Sequence, residues 1–305
     1  MNSKDSMIEE IQKLKKEKNG VILAHYYAPP EVQEAADYVG DSFYLSKLAV
    51  ELDAETIVFC GVFFMGESAK ILNPNKTVLM PDMTADCPMA HMGSIESVKK
   101  AREDYDDLAV VCYINSNADL KTHADVCITS SNALKIVRAL PNKNIFFTPD
   151  KNLGHYIAEN VPEKHFIYND GYCPTHDRMK AEQVDEAKRL HPQAEVLAHP
   201  ECGKEVLKRT DYIGSTSGII DYAHKSPKQE FIICTEHGID YDLRKNDPDK
   251  KFYYTADIPV CPDMKKITLE KILHVLKTGE NSVSVDPATG EGSKKPLERM
   301  LELAK

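Results

Sequence analysis

Short apolar runs rich in β-branched residues alternate with longer charged stretches along the whole chain. The runs fall at residues 21–24, 56–59, 78–80, 110–114, 145–147 and 231–234. Apolar runs this short, uninterrupted by polar alternation, fit strands buried on both faces, and the stretches between them have a helical, charged pattern. The alternation predicts successive βα units built on parallel strands.

Placing the strand ends in register exposes a repeat. First strands end near His25, Tyr113 and His199, 88 and 86 residues apart. A hydroxyl residue follows each by 17 positions, at Ser42, Ser130 and Thr216, and an aspartate precedes each hydroxyl by five, at Asp37, Asp125 and Asp211. A third strand end recurs 19 residues after the hydroxyl, at Gly61, Pro149 and Thr235. Cys87, Cys173 and Cys261 follow the hydroxyls by 45, 43 and 45 residues, and each precedes a proline.

Self-similarity at this period predicts an α/β fold of three pseudo-threefold-related, three-layer αβα repeats, each with a mainly parallel sheet of about four strands. The expected units are residues 1–92, 93–178 and 179–305. A C-terminal helix over 296–304 is expected to pack on the first unit, and the Gly-rich segment 288–293 to be a mobile loop.

Composition narrows the classes. The 305 residues are 42% apolar and 28% charged, so the chain can bury a core and is not intrinsically disordered. No apolar run approaches the length of a bilayer span, and the charged helical pattern over residues 1–18 lacks a signal-peptide core, which predicts a cytoplasmic protein with no membrane partner. A net charge of −10 leaves no general basic face for a phosphate backbone, so no nucleic-acid partner is expected. Neither a Walker loop nor a GxGxxG after a strand is present. Lysines and arginines interleaved with acids, as over 9–18 and 182–189, read as solvated faces.

Eight cysteines in such a chain point to thiols or metal ligands rather than a disulfide framework. Cys60, Cys112, Cys127 and Cys234 lie in apolar strands and read as core, and Cys202, near a strand end, has no repeat counterpart. Cys87, Cys173 and Cys261 differ because parallel sheets bind ligands beyond their carboxyl strand ends, and three units around one axis would bring one thiolate each to a common point. Three thiolates without a fourth protein ligand suit zinc with an open position or a 4Fe-4S cluster with one free iron, and ligands this far apart in sequence favour iron-sulfur over a zinc ribbon.

The polar residues after the first strands, His25, Tyr27, Tyr113, Asn115, His199 and Glu201, supply donors, acceptors and a general base to the same place. His176, three residues after Cys173, is a further candidate contact. Ser42, Ser130 and Thr216 are expected at strand-to-helix turns, where hydroxyls cap helices and free N–H groups attract carboxylates or phosphate.

At these residues the chain resembles the quinolinate synthase family. The likeness runs through Ile-Leu-Ala-His-Tyr-Tyr at 22–27, Gly-Asp-Ser at 40–42, Asn-Pro-Asn-Lys at 73–76, Tyr-Ile-Asn-Ser at 113–116, Thr-Ser-Ser-Asn-Ala at 129–133, Pro-Asp-Lys-Asn-Leu at 149–153, His-Pro-Glu-Cys at 199–202, Gly-Ser-Thr at 214–216 and Met-Lys at 264–265. It implies three α/β domains around one 4Fe-4S cluster per chain, held by Cys87, Cys173 and Cys261 with one iron open to substrate. It implies condensation of iminoaspartate with dihydroxyacetone phosphate to quinolinate in de novo NAD synthesis, coupled to an L-aspartate oxidase or aspartate dehydrogenase. His25, Ser42, Tyr113, Asn115, Ser130, His176, His199, Glu201 and Thr216 are then expected to hold substrate, with Tyr27, Tyr113 and Glu201 moving protons. The competing classes are another open-iron hydro-lyase and a non-catalytic iron-sulfur sensor.

Overall fold

A computed structural model describes residues 3–305. The first sheet holds β1 (Gly20–His25), β2 (Tyr38–Gly40), β3 (Thr56–Cys60) and β4 (Thr77–Leu79). The second holds β5 (Leu108–Tyr113), β6 (Val126–Ile128), β7 (Asn144–Thr148) and β8 (His165–Tyr168). The third holds β9 (Glu195–Ala198), β10 (Tyr212–Ile213), β11 (Glu230–Cys234) and β12 (Lys251–Tyr253). Strand order is the same in each, β2-β1-β3-β4, β6-β5-β7-β8 and β10-β9-β11-β12, with every pairing parallel. The three αβα repeats expected from spacing are therefore present.

Strands buried on both faces explain why the sequence runs are continuously apolar. In the first sheet Val21, Leu23, Ile57 and Phe59 pack with Leu45, Ala49 and Ala69 on one face. Their neighbours Ile22, Ala24, Val58 and Cys60 pack with Ile11, Val32, Ile272 and Val275 on the other. Cys60, Cys112, Cys127, Cys202 and Cys234 are all fully buried.

The repeated aspartates have a structural cause. Asp37, Asp125 and Asp211 each accept a hydrogen bond on Oδ2 from the N–H of a residue in the neighbouring first strand, Ile22 at 2.8 Å, Val110 at 2.7 Å and Val196 at 2.8 Å. The carboxylate satisfies a ladder donor before the second strand begins, a bond worth about 1.5–3 kcal/mol when the acceptor is charged. Lysines show the same symmetry, and three of them are not the solvated residues that charge patterning suggests. Lys76 Nζ donates to the Ala49 and Leu52 carbonyls at 2.8 and 2.6 Å, Lys164 to those of Leu140 and Asn142 at 2.6 and 2.7 Å, and Lys250 to those of Ala223 and His224 at 2.6 and 2.9 Å. Each ammonium caps the carbonyl end of the helix that follows its unit's second strand, Ser42–Glu51, Ala133–Ala139 and Thr216–Lys225, where the helix dipole is negative.

The C-terminal region departs from expectation. Helix Leu269–Thr278 covers the first sheet beside helix Ser3–Glu17, Met1 and Asn2 lying outside the described residues. The final helix, Pro287–Leu303, packs against β6 and helices Ala118–Lys121 and Ala133–Ala139 as well as helix Phe63–Leu72, so it bridges the first and second units. It also absorbs the segment expected to be a mobile loop. Asp286 caps it by accepting from Thr289 N at 3.0 Å, Pro287 stands at its start, and Gly292 lets it approach Thr122, whose Cγ2 would lie 3.1 Å from a Cβ there. No described helix is long and apolar enough to cross a membrane.

Candidate functional site

The carboxyl ends of the strands converge on a cavity of about 70 Å³ lined by all three units. Every residue expected to bind substrate, move protons or hold metal borders it. Cys87 and Cys173 stand immediately before one-turn helices that open on Pro88 and Pro174, where the missing proline N–H costs no hydrogen bond, and Cys261-Pro262 precedes a similar turn at Met264–Lys266. All three thiols are free. Burial pushes each of them up, and proximity adds to it, with Cys261 acting on Cys87 and both Glu201 and Cys87 acting on Cys173. Thiols in that position ionise when a metal supplies the compensating charge.

Two histidines share one geometry. The N–H of Tyr27 donates to His25 Nδ1 at 3.1 Å, and that of Glu201 to His199 Nδ1 at 3.4 Å. The bond places the ring proton on Nε2, and His199 Nε2 accordingly donates to Ser130 Oγ at 3.2 Å. Burial lowers both rings to about 3, so they are neutral donors at physiological pH.

A chain of hydrogen bonds crosses the unit boundaries. Tyr113 O–H donates to Glu201 Oε1 at 2.6 Å, and His176 Nδ1 lies 2.8 Å from Glu201 Oε2. His176 Nε2 meets Thr235 Oγ1 at 2.9 Å, which meets the Tyr27 hydroxyl at 2.9 Å, which meets Thr216 Oγ1 at 2.9 Å. Burial pushes Glu201 up, but the hydrogen bonds it accepts from His176 and Tyr113 outweigh it and hold the carboxyl below its usual range. Burial and the Glu201 charge push Tyr27 and Tyr113 well up. The arrangement supplies one ionised carboxylate between two protonated phenols, a base with two acids within one network. Cys173, His176 and Glu201 also present ligand atoms within 4.8 Å of one another.

The three hydroxyl turns behave differently from plain caps. Asp41 caps helix Ser42–Glu51 by accepting from Tyr44 N at 2.9 Å, and Ser215 caps helix Thr216–Lys225 by accepting from Gly218 N at 3.1 Å. Ser42 and Thr216 are thus first helical residues, and Ser130 lies in the turn before helix Ala133–Ala139. With capping done by the preceding residue in the first and third units, these hydroxyls are free to line the cavity. Asn115 Oδ1 is buried there without a partner, an acceptor that awaits a donor.

A sequence model of the family described as Quinolinate synthetase A protein matches residues 9–302. The chain belongs to the quinolinate synthetase A family. It is 54% identical over 295 residues to the quinolinate synthase of Clostridioides difficile strain 630, covering 97% of each chain. It is 55% identical over 298 residues to that of Fusobacterium nucleatum, covering 98% of this chain and 99% of the relative, and 48% identical over 295 residues to that of Methanosarcina barkeri, covering 97% of each.

For a member of the quinolinate synthetase A family the donor set fits an iron-sulfur cluster: one free thiol from each repeat, facing one cavity, with no fourth cysteine among its described lining residues. Several residues in this family member's site were given no site role from sequence. Thr235 joins Tyr27 to His176. Lys265 Nζ donates to the Tyr27 carbonyl at 2.6 Å and pairs with the buried Glu236 at 2.9 Å. Val62, Phe64, Met65 and Met264 form an apolar wall. The 88- and 86-residue steps from Val62 to Asp150 and on to Glu236 are the signal that could have drawn attention to the last two.

Proposed function

We propose that the chain condenses iminoaspartate with dihydroxyacetone phosphate to quinolinate, releasing phosphate and water, in NAD biosynthesis. The observation that carries this reading is the meeting of three repeat-equivalent cysteines with the Tyr113–Glu201–His176 network in one cavity of a chain belonging to the quinolinate synthetase A family. Cys87, Cys173 and Cys261 would hold a 4Fe-4S cluster, which when bound supplies an open iron as Lewis acid for a hydroxyl or carboxylate oxygen.

The chain's own residues do the rest. Ser42 and Thr216, with the free N–H groups of two ten-residue helices, hold carboxylate or phosphate oxygens. His25 and His199 offer Nε2–H as neutral donors, His176 and Ser130 add polar contacts, and Asn115 Oδ1 accepts from an imine N–H or a hydroxyl. Glu201 takes a proton from the carbon beside the triose carbonyl while Tyr113 keeps its own proton and donates a hydrogen bond to the far carboxylate oxygen. Tyr27, held by Thr216 and Thr235, gives its hydroxyl proton to the triose carbonyl oxygen and regains one from the neighbouring hydroxyl as Glu201 returns its proton to carbon, so both groups end as they began. The apolar wall of Val62, Phe64, Met65 and Met264 excludes water from these transfers.

This reading places the protein in the cytoplasm, supplied with iminoaspartate by an L-aspartate oxidase or aspartate dehydrogenase. The test is anaerobic purification followed by incubation with dihydroxyacetone phosphate and iminoaspartate generated in place, with quinolinate read by mass spectrometry. Quinolinate is the expected product. An intact cluster with no quinolinate would overturn the proposal, and dehydration of a hydroxy acid instead would assign a hydro-lyase.

A further inference from the structure

Positions 62, 150 and 236 lie two residues beyond β3, β7 and β11 and hold Val62, Asp150 and Glu236. Each stands beside its own unit's cysteine loop. In all three units the next residue's N–H bonds the carbonyl two residues before the cysteine: Phe63 to Ala85 at 2.7 Å, Lys151 to Gly171 at 2.8 Å and His237 to Pro259 at 2.8 Å. The backbone frame is therefore common, and the side chain is what differs.

Asp150 and Glu236 are fully buried. Asp150 Oδ2 accepts from Cys173 N at 3.1 Å while its Oδ1 accepts from Leu153 N at 2.8 Å, capping helix Lys151–Asn160. Glu236 Oε1 accepts from Cys261 N at 3.0 Å and its Oε2 from Gly238 N at 2.6 Å. Val62 offers no acceptor. Cys87 N instead donates at 2.8 Å to Oδ1 of the adjacent Asp86, a half-exposed side chain whose other partner is the exposed His91. A bond to the neighbouring residue ties the loop to itself and to nothing outside it.

We infer that Asp150 and Glu236 are positioning residues that hold the Cys173 and Cys261 loops ready before metal arrives, and that Cys87, which lacks such a clamp, is the arm that closes last and opens first. The inference rests on the reading of the three cysteines as cluster ligands. Fixing two loops leaves only one to be ordered when metal binds, and a partner bonded to a ligand residue commonly sets that ligand's geometry.

The experiment uses the full chain stripped of metal, reduced and without oxygen, with amide hydrogen exchange and iodoacetamide labelling read by mass spectrometry. In the wild type the Cys87 amide is expected to exchange about tenfold faster than those of Cys173 and Cys261, the effect of one buried hydrogen bond. Asp150→Asn and Asp150→Ser separate the clamp from the cap, since both residues cap helices as aspartate does. With the one side-chain oxygen committed to Leu153 N, neither variant offers an acceptor to Cys173 N. Both are expected to speed labelling of Cys173 about tenfold and leave Cys87 and Cys261 unchanged.

Unchanged labelling of Cys173 in both variants, or an equal rise at all three cysteines, would overturn the inference. If neither variant folds, the wild-type exchange pattern decides alone, and equal protection at the three amides refutes the clamp. Uptake of ferrous iron and sulfide is followed in parallel. The clamp pattern without iron uptake through these cysteines overturns the ligand reading and the inference with it, whereas iron uptake with equal protection overturns the clamp alone.

Discussion

Cys261→Ser, purified without oxygen, is expected to lose its 4Fe-4S complement and with it quinolinate formation. Each unit brings a single thiol to the cavity, so no second cysteine can replace a lost one. A serine oxygen is a harder donor than a thiolate and ionises far less readily. The loss should exceed the ~10–100-fold typical of removing an outer hydrogen-bond partner of a metal ligand. The fold should survive, because Cys261 is partly exposed, serine is of similar size, and the Glu236 bond uses the backbone N–H rather than the sulfur. Iron content, activity and the melting temperature of the metal-free protein check the three parts. Full iron content in Cys261→Ser would remove this residue from the ligand set.

Glu201→Gln is expected to do the reverse, keeping the cluster and losing the chemistry. Glutamine fills the same volume and can still accept the Tyr113 hydroxyl bond, which is 2.6 Å long in the wild type. It cannot accept a proton from a carbon acid, and its amide nitrogen faces His176 where an oxygen stood at 2.8 Å. A positioned general base contributes about 10²–10⁴-fold, so quinolinate formation should fall by that order with iron content unchanged. Wild-type turnover by a variant with an intact cluster would show that Glu201 is not the proton acceptor.

The sheets and their repeat were legible because each unit solves the same local problems with the same residue types. A parallel strand buried on both faces demands a continuous apolar run, and the N–H groups of Ile22, Val110 and Val196 demand the acceptors Asp37, Asp125 and Asp211. The matching lysines at 76, 164 and 250 carried the same 88- and 86-residue signal, but a lysine in a charged stretch looks like any solvated residue until its ammonium is seen on helix carbonyls. Side-chain direction was harder to read than residue type. Ser42 and Thr216 have the composition of N-caps, yet the caps are Asp41 and Ser215, one residue earlier. That one-residue difference releases the hydroxyls to the cavity.

Long-range contacts were the least legible. Gly290 and Gly292 suggest a loop by propensity, whereas packing across the first two units and the Asp286 cap make the segment helical. Thr235 reads from sequence as a strand end, and its link between Tyr27 and His176 exists only because three units meet.

The central claim is that three repeats pool one cysteine each to hold a single 4Fe-4S cluster. The most direct measurement is the Mössbauer spectrum of the anaerobically purified wild-type chain, with iron and sulfide content, before and after addition of substrate. The account predicts a 4Fe-4S signature in which one iron changes environment when substrate binds. A single iron or zinc ion held by Cys173, His176 and Glu201, with Cys87 and Cys261 free, would contradict it.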